Sequence, residues 1–372
     1  MKIFDNITWI SCGKYEPYLL HPKYYKPFSK HLYWWVPSMN GSSDIFDYIK
    51  KDGFLKDDSF LVADFSYEPV YQDYLENTFL KPILSYFLEN HISFDRLIVL
   101  SPTPTFLFTK TPFKYVHMFC NPFFDITQKT YLKKPYTVSD KRNIEKPFFT
   151  LMRKDTIPRC ILNYLLHKND VHEHGYISHN RIKLSNVADH EILSYIKKYT
   201  AIEDFIEYGL KVHKIDADYL KIINSHKFLD ELWHFKTLNS ELSKKSLVEI
   251  VVEPQNLDQL FITEKTHKAF LCKNIFLIFN SPRSLAFLRG LGFKTFSPFI
   301  DESYDLIEDT YARAEALVDQ VKKLSLLNKH EQYILLENCK EIVYHNYNHF
   351  LKSDWDFNLH NRIQKHISKR IT

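Results

Sequence analysis

Short, nearly continuous apolar runs recur along the chain at residues 59–65 (SFLVADF), 96–101 (RLIVLS), 115–120 (YVHMFC), 146–153 (KPFFTLMR), 247–252 (LVEIVV) and 274–280 (NIFLIFN). Runs this short and this apolar predict strands buried on both faces, as a parallel sheet requires. Between and after them, apolar positions three and four apart predict helices over 71–90, 159–166, 264–272, 284–289 (closed by Gly290), 312–327, 329–344 and 355–367. Residues 293–299 read as one further extended segment, and 180–245 as mainly helical but poorly patterned.

Strand and helix alternate, so the fold class is α/β. The polar, proline-bearing stretch 133–146 is the best linker, which divides the chain into a domain over 1–140 and a domain over 146–372. At 372 residues and 45% hydrophobic content, two ordinary cores fit. Only 7 glycines are present, with neither a GxGxxG nor a GxxxxGK[ST], which speaks against a dinucleotide-dependent dehydrogenase and a P-loop NTPase. Any phosphate must then be held by helix ends and cationic side chains.

Five cysteines without a CxxC suit reduced thiols and suggest no structural zinc. The N-terminal residues lack a signal peptide's apolar core, and no run reaches the roughly 18 apolar residues of a membrane span. A soluble, cytoplasmic protein is expected. The net charge of +4 implies no general preference for polyanions, although the tail 360–370 is basic and would touch phosphates if exposed. Rich Lys, Asn, Ile, Phe and Tyr usage hints at an AT-rich bacterial or phage genome.

Candidate chemistry concentrates in residues 253–305. Thr263 stands where an N-cap should, ahead of a helix whose free N–H groups and positive end suit a diphosphate. Lys265 and Lys268 in the first turns add positive charge, and Glu264 offers a carboxylate able to accept two ribose hydroxyls. Glu264 and Lys268 are also spaced i,i+4, an arrangement that often only decorates a solvated helix face. Glu253 follows the strand 247–252 at its carboxyl end, where α/β proteins bind ligands.

The run Phe261 to Lys265 (FITEK) before a helix and an apolar strand resembles the donor-binding segment of GT-B glycosyltransferases of the α-1,3-fucosyltransferase type. The longer stretch through GFKTF and DESYD is similar to uncharacterised phage and bacterial glycosyltransferase-like proteins. The pattern of residues 146–153, then a helix from Arg159, then GYIS at 175–178 is similar to the same family's strand, arginine, helix and Tyr-Ser order. The resemblance spans about residues 146 to 320. It implies a GT-B-like fold of two Rossmann-like domains facing a cleft, with residues 1–140 on the acceptor side and 146–372 binding a nucleotide-sugar. It assigns Glu264 to the ribose and Lys265 to the phosphates, and sets Arg153 or Arg159 to clamp the diphosphate; a surface arginine at a strand end is the plainer alternative. The segment EPQNL at 253–257 lacks the family's Asn-Ser pair, so donor identity does not carry over. The last helix of such folds often returns to the first half, as residues 355–367 would.

A glycosyltransferase needs a base to take the acceptor hydroxyl's proton, and Asp64 and Glu68, just past a strand, are the candidates; a strand-end Asp capping a turn is the simpler reading of Asp64. Arg153, Arg159, Lys265 and the helix start would meet the charge developing on the leaving diphosphate, so neither a metal nor a cofactor beyond the nucleotide-sugar is expected. Two Asp-x-Asp triplets, Asp216 with Asp218 and Asp354 with Asp356, match a metal-binding pattern in unsuited contexts. His172 and His174 lack the i,i+4 spacing of a helical zinc site. The acceptor is expected to be a glycan or a modified base in phage DNA; a non-catalytic nucleotide-sugar or nucleic-acid binding protein is the alternative.

Overall fold

A computed structural model of the protein describes residues 7–11, 30–36, 45, 54–55, 58–66, 76, 79–103, 113–133, 141–152, 156–179, 193–209, 211, 213, 240–253 and 260–369. Its strands are β1 (Ile7–Ser11), β2 (Leu32–Val36), β3 (Phe60–Asp64), β4 (Leu97–Ser101), β5 (Val116–Phe119), β6 (Lys146–Met152), β7 (Gly175–His179), β8 (Ser246–Val252) and β9 (Ile275–Phe279). Its helices are α1 (Lys81–Glu89), α2 (Pro122–Lys133), α3 (Ile157–Lys168), α4 (Ile202–Gly209), α5 (Ser240–Lys245), α6 (Glu264–Leu271), α7 (Ser284–Gly290), α8 (Thr310–Ser325), α9 (Lys329–Lys352) and α10 (Trp355–Ser368). Two compact units result, Met1–Asp125 with Asp354–Thr372, and Ile126–Ser353. The division thus falls ahead of the stretch 133–146, and α10 belongs with the first unit.

The first unit is a parallel sheet in the order β1-β2-β3-β4-β5. Side chains alternate across each strand. Trp35, Leu61, Ala63, Leu97 and Val99 therefore share one face with Ile83, Leu84 and Phe87 of α1. Leu32, Trp34, Phe60, Val62, Ile98, Leu100 and Met118 take the other face, against Leu359, Ile363 and Ile367 of α10. Those three lie at i, i+4 and i+8, one stripe of a helix. Arg362 of the basic tail donates to the Phe119 carbonyl at 3.0 Å, and His366 bonds the Asp95 carbonyl at 2.8 Å.

The second unit is a parallel sheet in the order β7-β6-β8-β9. All residues of β8 and β9 are buried. The chain steps from β6 to β7 on one side, then returns to lay β8 and β9 on the other, so the winding reverses between β6 and β8. The start of α9 is fixed by a capping box between Asn328 and Glu331.

Residues 293–299 are not the extended segment that their apolar pattern predicts. Their polar backbone is met by side chains instead of by a strand: Lys294 N–H donates to Asn346 Oδ1 at 2.8 Å and Phe296 N–H to Glu302 Oε1 at 2.6 Å. Phe293 stacks on Phe270 and Phe296 packs edge-on to Phe276, which explains the apolar spacing. Among the described residues, no helix is long and apolar enough to cross a membrane.

Candidate functional site

Ligands of open parallel sheets bind beyond the carboxyl ends of the strands where the winding reverses. In the second unit that place lies between the ends of β6 and β8. Arg153, directly after β6, lies outside the described residues. Arg159, in the first turn of α3, is 2% exposed and donates from Nη2 to the carbonyl of Val252, the last residue of β8, at 3.3 Å. It thereby ties the first turn of α3 to the end of β8.

Glu253 is the next residue after Val252, and its side chain is buried. Its carboxylate accepts from the Thr263 N–H at 2.9 Å, the Thr263 hydroxyl at 2.5 Å and the Thr266 hydroxyl at 2.7 Å. The first turn of α6 is thus fastened to the end of β8. Thr263 is extended, at φ −114° and ψ −175°, and its Oγ1 accepts from Lys265 N–H at 3.4 Å, as the N-cap expected from sequence. The Lys265 ammonium donates to the same hydroxyl at 3.0 Å and to Glu264 Oε1 at 3.1 Å.

Glu264 does not decorate a solvated face: it is 8% exposed. Burial pushes its carboxyl up, but the charges of Lys265 and Lys268 outweigh that and hold it down at about 2. The carboxylate is therefore ionised at neutral pH and placed beside the positive end of a helix. Lys268 is half-buried; burial lowers its ammonium against the opposing pull of Glu264. Arg159, Glu253, Thr263, Glu264, Lys265 and Lys268 thus gather at one edge of one sheet, three cations among fixed acceptors. Such a set can bind a diphosphate through its cations and hydroxyls through Glu264.

Glu249, inside β8, was not among the sequence candidates. It is buried, accepts from Asn274 Nδ2 at 2.6 Å, and is pushed by burial up to about 7. The signal that would have found it is the lone charge in the otherwise apolar run SLVEIVV.

The remaining candidates stand elsewhere. Asp64 ends β3 in the first unit, buried, with its carboxylate accepting from Trp34 Nε1 at 3.1 Å and Ser66 N–H at 3.0 Å. Burial raises its carboxyl against those bonds. Glu68, Asp216 and Asp218 lie outside the described residues, as does the Asp356 side chain, while Asp354 is exposed. His172 and His174 form a 3-10 turn ahead of β7, with the His172 ring 3.9 Å from that of His167. Among the described residues, no three His, Cys, Asp or Glu side chains are grouped to hold a metal. Cys120, Cys160, Cys272 and Cys339 are buried.

No protein-family model matches the chain, and no curated protein matches it. Among solved structures it is similar to the DNA-modifying enzyme β-glucosyltransferase, determined with and without its substrate uridine diphosphoglucose, at 10% identity over 91% of this chain and 82% of that one, with a TM-score of 0.40. It is likewise similar to T4 phage BGT in complex with its UDP-glucose substrate, at 12% identity over 90% of this chain and 82% of that one, with a TM-score of 0.36.

Proposed function

We propose that the protein is a GT-B-type glycosyltransferase that binds a nucleotide-sugar at the carboxyl edge of the second sheet and transfers the sugar to an acceptor hydroxyl. The observation that carries this reading is the buried, ionised Glu264 between Lys265 and Lys268 at the start of α6, at the point where the sheet's winding reverses. An anionic carboxylate enclosed beside two lysines suits a ligand that presents hydroxyls and phosphates together. In this reading Glu264 accepts the ribose hydroxyls, and Lys265, Lys268, Arg159 and Arg153 hold the diphosphate.

Glu253 and Thr263 position α6, since their polar atoms already serve the helix start. As the bond to the sugar breaks, charge grows on the leaving diphosphate, and the same cations stabilise it without a metal ion. Asp64 or Glu68 takes the acceptor's proton. The acceptor is a hydroxyl of a glycan or of a modified base in DNA, and the protein works in the cytoplasm of a bacterium or of a phage-infected cell.

A screen of thermal shifts against UDP, GDP, CMP and their sugars tests the seat. A ligand at one hundred times its Kd adds about 2.7 kcal/mol of stability. One nucleotide is expected to raise the Tm, with the rise lost in Glu264→Ala and Lys265→Ala; a panel without any shift would remove the assignment. A non-catalytic nucleotide-sugar binding protein is favoured by one observation, the enclosure of Asp64 by Trp34 and Ser66. Release of the nucleotide from its sugar, with or without acceptor, separates the two.

A further inference from the structure

Three histidine rings meet at the outer edge of the second sheet. His167 lies in the last turn of α3, His172 in the turn ahead of β7, and His213 shortly after α4. His167 Nε2 and His213 Nε2 are 2.7 Å apart, with the two rings stacked at 4.8 Å. The His172 ring is 3.9 Å from that of His167, and its Nδ1 is buried with no hydrogen-bond partner among the described residues. The backbone of His213 pairs with His179, the last residue of β7. His179 N–H donates to the His213 carbonyl at 3.0 Å, and His213 N–H to the His179 carbonyl at 2.9 Å. His179 stands beside Met152, the last residue of β6, so this bridge extends the carboxyl edge of the sheet. The Lys211 carbonyl meets His179 Nδ1 at 3.0 Å and Asn163 Nδ2 at 3.1 Å. The titratable groups facing His167 are His172, His213 and Lys211, and those facing His213 are His179, Lys211 and His172. From α4, the Tyr208 ring lies 5.8 Å from His167, and its hydroxyl faces Glu207, Asp204 and Asp170. From α8, Lys322 reaches this end of α3 at Asn169 Oδ1, 2.5 Å away.

We propose that these histidines form a pH-sensitive latch: a single hydrogen between His167 Nε2 and His213 Nε2 holds Lys211 and His213 against the end of β7, and acid opens it. The inference is independent of the nucleotide-sugar reading. At 2.7 Å the two nitrogens share one hydrogen, so one ring donates from Nε2 while the other accepts there and carries its hydrogen on Nδ1. A further proton on the accepting nitrogen would set two N–H groups face to face and remove the bond. It would also place a cation against His172 in a cluster whose nearest charged neighbour is Lys211. Burial and these neighbours hold His167 down at about 3 and His213 at about 4. Once the rings swing into water they regain the ordinary value of 6.5. The closed latch is therefore at full strength above pH 6.5 and loses stability as pH falls from there towards 4. Opening frees the N–H and carbonyl of His179, an unpaired edge at the end of β7.

The test is native-state hydrogen exchange of the full chain, read by NMR and corrected for intrinsic rates, between pH 7 and 5. Opening at the His179 and His213 amides is expected to rise by up to about tenfold per pH unit for each of the two histidines, while Val248 and Leu277 in β8 and β9 keep their protection. A chain carrying His167→Gln with His213→Gln keeps polar groups at both positions and removes the titration, so its profile should be flat. Nitrogen chemical shifts of the wild-type rings at pH 7.5 should show one of His167 and His213 protonated at Nδ1 and the other at Nε2, with neither titrating near 6.5. Ordinary titration of both rings would overturn the inference without needing the variant. So would opening that stays level from pH 7 to 5, or that rises equally in the variant. Loss of protection in β8 and β9 in step with His179 would mean that acid unfolds the whole unit, and would also overturn the latch.

Discussion

The carboxylate of Glu253 takes both polar groups of Thr263, the N–H at 2.9 Å and the hydroxyl at 2.5 Å, and so ties the end of β8 to the start of α6. These bonds, with that from Thr266 at 2.7 Å, lie in a buried setting. Removing the acceptor leaves buried donors unmet, which costs more than the bonds contribute on balance. Glu253→Ala is expected to lower stability by about 3 kcal/mol, read as a lower urea midpoint at unchanged m. The same variant should weaken nucleotide binding, because Lys265 and Glu264 stand on the turn that Glu253 fixes. A midpoint within error of wild type would mean that the carboxylate is not holding the helix.

Glu264 makes stability depend on acid in a calculable direction. Its folded carboxyl lies at about 2, below the ordinary value of 4.5. A depressed carboxyl contributes stability that is complete above the unfolded value and disappears as pH falls through the folded one. The difference between wild type and Glu264→Gln should therefore shrink between pH 4.5 and 2, by on the order of 3 kcal/mol at most. Urea denaturation of both proteins across that window checks it. Parallel profiles would mean that Lys265 and Lys268 do not hold the carboxylate.

Much of this site is legible in the sequence because its chemistry follows local rules. Thr263 before an amphipathic run marks an N-cap, and β8 and β9 are short apolar runs that only a doubly covered sheet accommodates. Glu249 escaped because its burial is met by Asn274, a partner that strand periodicity does not bring beside it. The first unit is harder for the same reason: Leu32–Val36 reads LYWWV, with large apolar groups at both parities, and gives no clean period of two. The false strand at 293–299 has the opposite cause. Its apolar positions are anchored by Phe270 and Phe276, while Glu302 and Asn346, 6 and 52 residues away in sequence from the groups they meet, take its backbone groups.

Gly175 opens β7 opposite Phe148 of β6, and a methyl group built on it would lie 2.2 Å from the Phe148 ring. That ring is fully buried. Gly175→Ala is expected to cost about 1–3 kcal/mol through forced displacement in a packed core. Phe148→Leu alone should also destabilise, yet the pair should be less damaging than the sum, since the smaller side chain gives the methyl group room. A double-mutant cycle measures the coupling, and additive effects would contradict the clash.

The order β1-β2-β3-β4-β5 winds in one direction, and α1 with its neighbours covers one face of that sheet. The second face is lined by Trp34, Val62, Ile98, Leu100 and Met118 and is closed by α10, whose Leu359, Ile363 and Ile367 are buried there. A segment more than 230 residues beyond β5 thus supplies the missing layer, which accounts for the chain's return to its first unit. Ile363→Ala is expected to cost about 2–5 kcal/mol, as for other large-to-small changes in a core, whereas Lys365→Ala on the exposed side should fall within about 0.5 kcal/mol of wild type. Ending the chain at Ser353 should expose the apolar face and leave the first unit without fixed tertiary packing, seen as loss of its near-UV circular dichroism and binding of a hydrophobic dye. If the shortened chain keeps a cooperative transition for both units, α10 is an attachment and not a layer of the core.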